Sequence, residues 1–288
     1  MREKVSLHRI SLIALYILSL GIFNIPINSD RGLLSFVSAF LIVSLIYFLI
    51  YKLKNSLFLK GIISVFAVIV AASGIALITQ FFAGAVLKKT PEFFIAAFFV
   101  ACVLYAVLSE NSAVAKFSFL MFPIIVVVII LIFVLSINNF KFTDFGSYIL
   151  PEEQSLIKTT TENIILFLPV CFLVVYGNKE NKSLRSDLIG LAIGLAFLTV
   201  CILNVLLGNL DIGAFKFPYF SAVEMLSVGS IFSRLSGFVY FVFFVVSLVR
   251  VSVCLKTVKD FCKALGAKRE KVTGIIICAA AGSLSFIF

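Results

Sequence analysis

A polar, acidic stretch runs directly into a short apolar segment in the middle of the chain. The apolar run at residues 163–176 has 14 residues, or ~21 Å of helix, which is shorter than the ~30 Å hydrocarbon core of a bilayer. Either the polar residues Thr161, Glu162 and Asn163 lie inside the membrane, or the span consists of two half-helices with irregular backbone between them. Both options place polar groups where lipid cannot satisfy them, and an acidic side chain there is a candidate for ligand binding. The alternative is a solvated Glu162 that the dipole stabilises at a helix N-terminus.

The first apolar run shows the same anomaly. Residues 10–23 also form a run of 14 residues, and they contain Ser19, Leu20, Gly21 and Ile22. Short, glycine- or proline-interrupted segments at corresponding places of two halves are typical of a transporter site at a repeat interface. Unwound backbone at these four residues would present N–H groups to a ligand carboxylate. The alternative is that Gly21 only allows close helix packing.

Three other polar residues fall within or beside apolar runs. Arg250 is followed about two helical turns later by Lys256, so its side chain either snorkels to the cytoplasmic interface or lies inside the bundle as a cation. Thr79 and Gln80 either line the binding cavity or form hydrogen bonds between helices. The sequence leaves both pairs of interpretations open.

The composition determines which elements position these residues. The chain has 288 residues, of which 62% are hydrophobic and 13% charged, and its mean hydropathy is +1.18. These values predict an all-α polytopic membrane helix bundle.

The net charge of +10 is spread between apolar runs, which is typical of membrane orientation signals and not of nucleic-acid binding. With one histidine, His8, and no closely spaced cysteine pair, we expect no enzyme, cofactor or metal site.

The apolar runs predict nine transmembrane helices. A cytoplasmic N-terminus places 17 of the 24 Lys and Arg residues on the inside, so the positive-inside rule predicts this orientation. The connection at residues 208–234 has helix-like apolar spacing, which predicts an interfacial helix that either anchors the bundle or covers its mouth. The predicted spans are residues 10–23, 33–51, 61–87, 93–108, 114–137, 163–176, 188–207, 235–255 and 272–288.

A series of motifs follows in a characteristic order along nearly the whole chain. They are Gly21-Ile22-Phe23-x-x-Pro26, Lys116 with Phe122-Pro123, Glu162 with Pro169, Phe217-Pro218, Phe232-Ser233-Arg234-Leu235 and Arg250. In this order they resemble the GerAB-type spore germination proteins, the membrane B subunits of nutrient germinant receptors. This family belongs to the amino acid–polyamine–organocation transporter superfamily, and in it Phe122-Pro123 would begin a helix.

The resemblance implies a LeuT-type fold with interrupted helices 1 and 6. It implies a single transmembrane domain of two inverted repeats, about residues 8–137 and 151–288, the second of which lacks the tenth helix. It also suggests that Arg250 is an internal cation that takes the place of a coupling ion.

The function that the resemblance implies is recognition of a germinant. The chain would be a multi-pass subunit of the spore inner membrane that binds a small neutral nutrient, an amino acid, together with A-type and C-type receptor subunits. A proton- or cation-coupled amino-acid transporter is the first alternative. A receptor scaffold with a degenerate pocket is the second.

Overall fold

The computed structural model describes residues 6–22, 33–53, 56–137, 153–176, 184–207, 217–225, 235–266 and 269–287, and these ranges contain no β-strand. The prediction of an all-α polytopic membrane helix bundle is confirmed. The helices are α1 (Leu7–Ile22), α2 (Leu33–Lys52), α3 (Leu57–Phe81), α4 (Glu92–Leu108), α5 (Asn111–Ile137), α6 (Glu153–Phe167), α7 (Phe172–Val175), α8 (Leu184–Leu207), α9 (Pro218–Met225), α10 (Leu235–Ala264) and α11 (Glu270–Leu284). A π-helical segment, Phe82–Val86, extends α3, and a 3-10 segment, Leu168–Cys171, joins α6 to α7.

Each predicted apolar run falls on helical segments of the structure, and the run at residues 163–176 covers the end of α6, the 3-10 segment and α7. Five helices in the described ranges are long and apolar enough to cross a membrane, and the spans that they provide are Ser35–Lys52, Leu57–Val86, Ser112–Ile137, Leu184–Val205 and Gly237–Ala264. Three apolar helices are shorter: Leu7–Ile22, Glu92–Leu108 and Thr160–Val175. The total of nine spans and the division into repeats at about residues 8–137 and 151–288 stay predictions.

Glycines on α8 set the close packing between α8 and α1. A Cβ added to Gly190 would lie 2.9 Å from Ile13 Cβ, and one added to Gly194 would lie 2.9 Å from Ile17 Cβ. Small residues four apart allow two helix backbones to approach in a membrane, where packing and not hydrophobicity holds helices together. Because residue numbers rise together along this contact, α1 and α8 run parallel.

Further contacts gather the basic side chains at one end of the bundle. Tyr47 near the end of α2 bonds to Asp187 at the start of α8, and His8 at the start of α1 stacks on Phe119 of α5 at 4.7 Å. We call this end the basic end. Its described basic residues are Arg9, Lys52, Lys60, Lys116, Arg185, Lys256, Lys259, Lys263, Arg269 and Lys271, whereas Lys88 and Lys89 lie at the opposite end.

Two helices extend beyond the sequence expectations. The Phe122-Pro123 pair lies within α5 and does not begin a helix, so that expectation is wrong. A proline is tolerated inside a membrane helix because neighbouring groups can satisfy the backbone carbonyl that it leaves free. Helix α10 continues to Ala264, nine residues beyond the predicted span at residues 235–255, so more than half of the connection to the next predicted span is helical.

The two predicted interruptions differ from each other. Helix α1 is regular through Ile22, so unwound backbone at residues 19–22 is wrong for this conformation. The physical reason is that the side chain of Leu198 fills the space beside Gly21, where an added Cβ would lie 2.3 Å from Leu198 Cδ1. Residues 23–32, with Pro26, lie outside the described residues. Between α6 and α7, the helix changes to 3-10 geometry at Leu168–Cys171.

Candidate functional site

The change of helix type near Pro169 connects three helices in the interior. Pro169 has no N–H group, so an α-helical hydrogen bond cannot form at this position. Tyr16 of α1 is fully buried, and its hydroxyl donates to the Pro169 carbonyl at 3.1 Å. The same hydroxyl lies 3.5 Å from Cys254 Sγ on α10. A single phenol therefore links α1, the 3-10 segment and α10.

Arg250 lies one helical turn before Cys254 on α10 and is buried, with 6% of its surface exposed. Its side chain passes Gly74 of α3, where an added Cβ would lie 3.8 Å from Arg250 Nε. This Nε has no hydrogen-bond partner among the described residues. The side chain therefore lies inside the bundle and does not reach an interface by snorkelling.

Other buried polar atoms also lack hydrogen-bond partners within the described ranges. Lipid offers no partner to a polar group, so such atoms are costly in a membrane protein and mark functional positions. They come from α3, α6 and α10, and of these helices α3 and α10 pack directly on each other. Besides Arg250 Nε, they include Thr79 Oγ1, Asn163 Nδ2, Ser247 Oγ and Ser252 Oγ.

The predicted site residues of α1 are all buried. Ser19 Oγ donates to the Tyr16 carbonyl at 2.6 Å, so its hydroxyl is used inside the helix. Leu20 and Ile22 belong to the apolar core, and Gly21 packs on Leu198 of α8. In this conformation the predicted segment is a packed helix end.

The predicted site residues of α6 differ in exposure. Thr161 is exposed, Glu162 is half-buried and Asn163 is buried. Because α6 begins at Glu153, Glu162 lies well inside the helix, and the interpretation of a carboxylate at the helix N-terminus is wrong.

The two predicted residues of α3 point in different directions. Thr79 is buried in the interior, whereas Gln80 lines a cavity at the end of the bundle opposite the basic end.

A buried ion pair at the basic end was not predicted. Arg9 Nε donates to Asp187 Oδ1 at 2.5 Å, and Arg9 Nη2 donates to Oδ2 at 3.1 Å. Tyr47 donates to the same carboxylate at 2.6 Å. The guanidinium also donates to the carbonyls of Leu173 and Tyr176, at 3.0 and 3.2 Å, which satisfies the C-terminal end of α7. We call these five residues the Arg9 network.

The Arg9 network is hard to recognise in the sequence. Arg9 and Asp187 lie 178 positions apart, and each borders an apolar run, where charges normally reach the interface. The positive-inside rule treats Arg9 as an orientation signal, whereas the structure leaves only 5% of its surface exposed. The parallel packing of α1 on α8 through Gly190 and Gly194 brings the two charges together, and that glycine spacing was the available signal.

A second basic cluster binds the C-terminal end of α4. Lys256 Nζ donates to the Glu110 carbonyl at 2.6 Å, and Lys259 Nζ donates to the Val107 carbonyl at 3.1 Å. Carbonyls at a helix C-terminus lack intrahelical partners and carry partial negative charge, so cations stabilise them. Lys256 therefore joins α10 to α4 and does not face lipid headgroups.

Comparison with known proteins identifies the family. The family profile described as "Spore germination protein" matches residues 56–287, and the chain belongs to this family. Comparison with curated proteins and with solved structures gives no significant match. The resemblance to GerAB-type germination proteins is thereby confirmed at the level of the family.

The Arg9 network predicts a strong effect of Asp187→Asn on stability. The substitution keeps the shape of the side chain but leaves the Arg9 guanidinium buried without a counter-charge, which costs about 3–5 kcal/mol. We expect a clearly lower midpoint of thermal unfolding for the purified protein. The double variant Arg9→Met/Asp187→Leu, which removes both charges, should recover most of the loss.

The matched control is Glu270→Gln at an exposed ion pair. Lys263 Nζ lies 2.6 Å from Glu270 Oε1, and this hydrogen bond lowers the pKa of the Glu270 carboxyl. Solvent screens the pair, so its loss should barely change the unfolding midpoint. A wild-type midpoint for Asp187→Asn would contradict a stabilising role of the Arg9 network.

Proposed function

We propose that the chain is the membrane subunit of a nutrient germinant receptor in the spore inner membrane, and that it recognises a small neutral amino acid. The observation that carries this proposal is Arg250, an arginine that is buried inside the bundle. It lies one helical turn before Cys254, whose sulfur contacts the hydroxyl of Tyr16. Membership of the spore germination family supports the biological setting. We further propose that the chain acts with A-type and C-type receptor subunits.

Arg250 favours a receptor over a coupled transporter. A transporter driven by protons or cations must bind and release its coupling ion in each cycle. An arginine guanidinium stays charged throughout the physiological pH range and cannot leave the protein. With a permanent charge at this position, ligand binding would shift the population of conformations without moving an ion.

The proposed central ligand site lies between α1 and α6, which are in contact. It comprises residues 19–22 together with Thr161, Glu162 and Asn163. The N–H groups of residues 19–22 belong to a regular helix, so binding a carboxylate there would require the last turn of α1 to unwind. The unpaired Nδ2 of buried Asn163 supports a polar contact from α6.

The role of Arg250 predicts different results for two substitutions. Arg250→Met removes the charge and should slow nutrient-triggered germination about tenfold or more, within the usual range of coupling energies. Arg250→Lys keeps a cation and should retain most of the response. The measurement is the fall in optical density of spores after addition of an amino acid, at matched protein levels.

Arg185→Met is the control for loss of a positive charge, because Arg185 is exposed at the start of α8. It should germinate like the wild type. A wild-type response of Arg250→Met would contradict the proposed role of this residue.

We propose that the basic end faces the cytoplasm, as the positive-inside rule predicts. The test uses a chain whose six native cysteines are replaced by alanine, with one cysteine added through Lys89→Cys or Lys271→Cys. A maleimide that does not cross membranes should label position 89 in intact cells and position 271 only after permeabilisation. The reverse pattern would contradict the proposed orientation.

A further inference from the structure

A cavity of about 640 Å³ lies at the end of the bundle opposite the basic end, and we call it the outer cavity. Its volume falls in the range of ~300–1,000 Å³ that is typical of small-molecule sites. It is formed by the end of α3 with its π-helical segment, the connection to α4, the first residue of α4, and α9. These elements are separate from the proposed central site between α1 and α6.

The π-helical segment Phe82–Val86 shapes one wall of the outer cavity. The Leu87 N–H donates to the Phe82 carbonyl at 2.7 Å, so the turn contains one residue more than an α-helical turn. Gly84 lines the cavity, and no atom of the described residues lies within 4 Å of the place where its Cβ would be.

Helix α9 forms the opposite wall. Phe217 and Phe220 contact Phe81 of α3 edge-to-face, with ring centroids 5.1 and 5.3 Å apart, and this contact fixes α9 against the bundle. Glu224 follows Phe220 by one helical turn, and both line the outer cavity. One wall of the cavity therefore combines an aromatic surface with a carboxylate.

Charges of both signs line the outer cavity. Lys88 comes from the connection after α3, Glu92 is the first residue of α4, and Glu224 belongs to α9. Among the residues that the structure describes, none forms an ion pair with any of these three side chains. Gln80, Thr90 and Ser221 add neutral hydrogen-bonding groups to the lining. The cavity can thus offer a cation and two carboxylates to a ligand.

We propose that the outer cavity binds a zwitterionic amino acid. Lys88 would receive the carboxylate, Glu92 and Glu224 would receive the ammonium group, and Phe217 and Phe220 would contact an apolar side chain. The class of ligand rests on the proposed function, whereas the location rests on the cavity itself. Gln80 lies in the cavity and its neighbour Thr79 is buried, so α3 connects the outer cavity with the polar interior.

The test measures binding of radiolabelled valine to the purified full chain in nanodiscs. Gly84→Leu fills the cavity without an initial clash and should weaken the component of valine binding that belongs to the outer cavity about tenfold or more, whereas binding at the proposed central site should remain. Lys88→Gln removes the partner of the carboxylate and should weaken binding about tenfold, since a charge-assisted hydrogen bond is lost. Because Lys88 is exposed, this variant tests the site without disturbing the packing of the bundle.

The chain supplies a matched control for each variant. Gly237 on α10 also has no described atom within 4 Å of an added Cβ, and it does not line the outer cavity, so Gly237→Leu should bind valine like the wild type. Lys89 is exposed next to Lys88 but does not line the cavity, so Lys89→Gln should also bind normally. Equal losses in a variant and its control would overturn the proposed site.

Valine derivatives test the assignment of each charge. Valinamide lacks the carboxylate, so its competition with valine should be weak in the wild type, and its own affinity should not change with Lys88→Gln. N-acetylvaline lacks the ammonium group, so its own affinity should not change with Glu224→Gln. If Lys88→Gln weakened valine and valinamide equally, the assignment of Lys88 to the carboxylate would be overturned.

Failure of the site and failure of the proposed function give different results. Saturable binding of valine by the wild type, unchanged in Gly84→Leu and Lys88→Gln, would overturn the outer cavity but leave the proposed function. Absence of saturable binding in the wild type would overturn the ligand class and with it the proposed recognition of a neutral amino acid.

Discussion

The structure depends on one constraint, which is that lipid offers no hydrogen-bond partner to a backbone group or a charge. Helix ends and charges inside the bundle must therefore satisfy each other. Arg9 illustrates this, because its guanidinium binds the carboxylate of Asp187 and two carbonyls at the end of α7. Lys256 does the same for the end of α4. These cations hold the short and interrupted helices in place at the basic end.

Arg250 is the exception to this pattern. Its Nε has no hydrogen-bond partner in the described part of the chain, although the residue is buried. The hydroxyl of Tyr16 binds the 3-10 segment and also contacts Cys254, one helical turn after Arg250, so the charge lies near a place where a membrane helix changes its geometry. A buried charge near a change of helix type is suited to control an equilibrium between two conformations.

The part of the fold that could be predicted from the sequence follows mainly from its hydropathy and from the positions of its prolines. The apolar runs gave the helices, and Pro169 marked the change of helix type. The start of α6 was missed because residues 153–161 are polar, although their helix packs on α2. The regular end of α1 was missed because a glycine in a helix signals both interruption and close packing, and only the contact with Leu198 decides between them.

The candidate site could be predicted only in part, for a related reason. Arg250 stood out in the sequence because a charge inside an apolar run is rare, but its burial depends on how far α10 continues. The charges of the outer cavity, Lys88, Glu92 and Glu224, could not be recognised, because each is an ordinary polar residue near a helix end. Only the tertiary arrangement of α3, α4 and α9 gathers them around one space.

The central claim is that the chain recognises an amino acid without transporting it, because Arg250 provides a fixed charge. The direct measurement is binding and uptake of radiolabelled valine by proteoliposomes that contain the full chain, with and without imposed proton and sodium gradients. The account predicts saturable binding that is insensitive to either gradient, with no accumulation of valine in the lumen. Accumulation of valine driven by either gradient would contradict it and would show a coupled transporter.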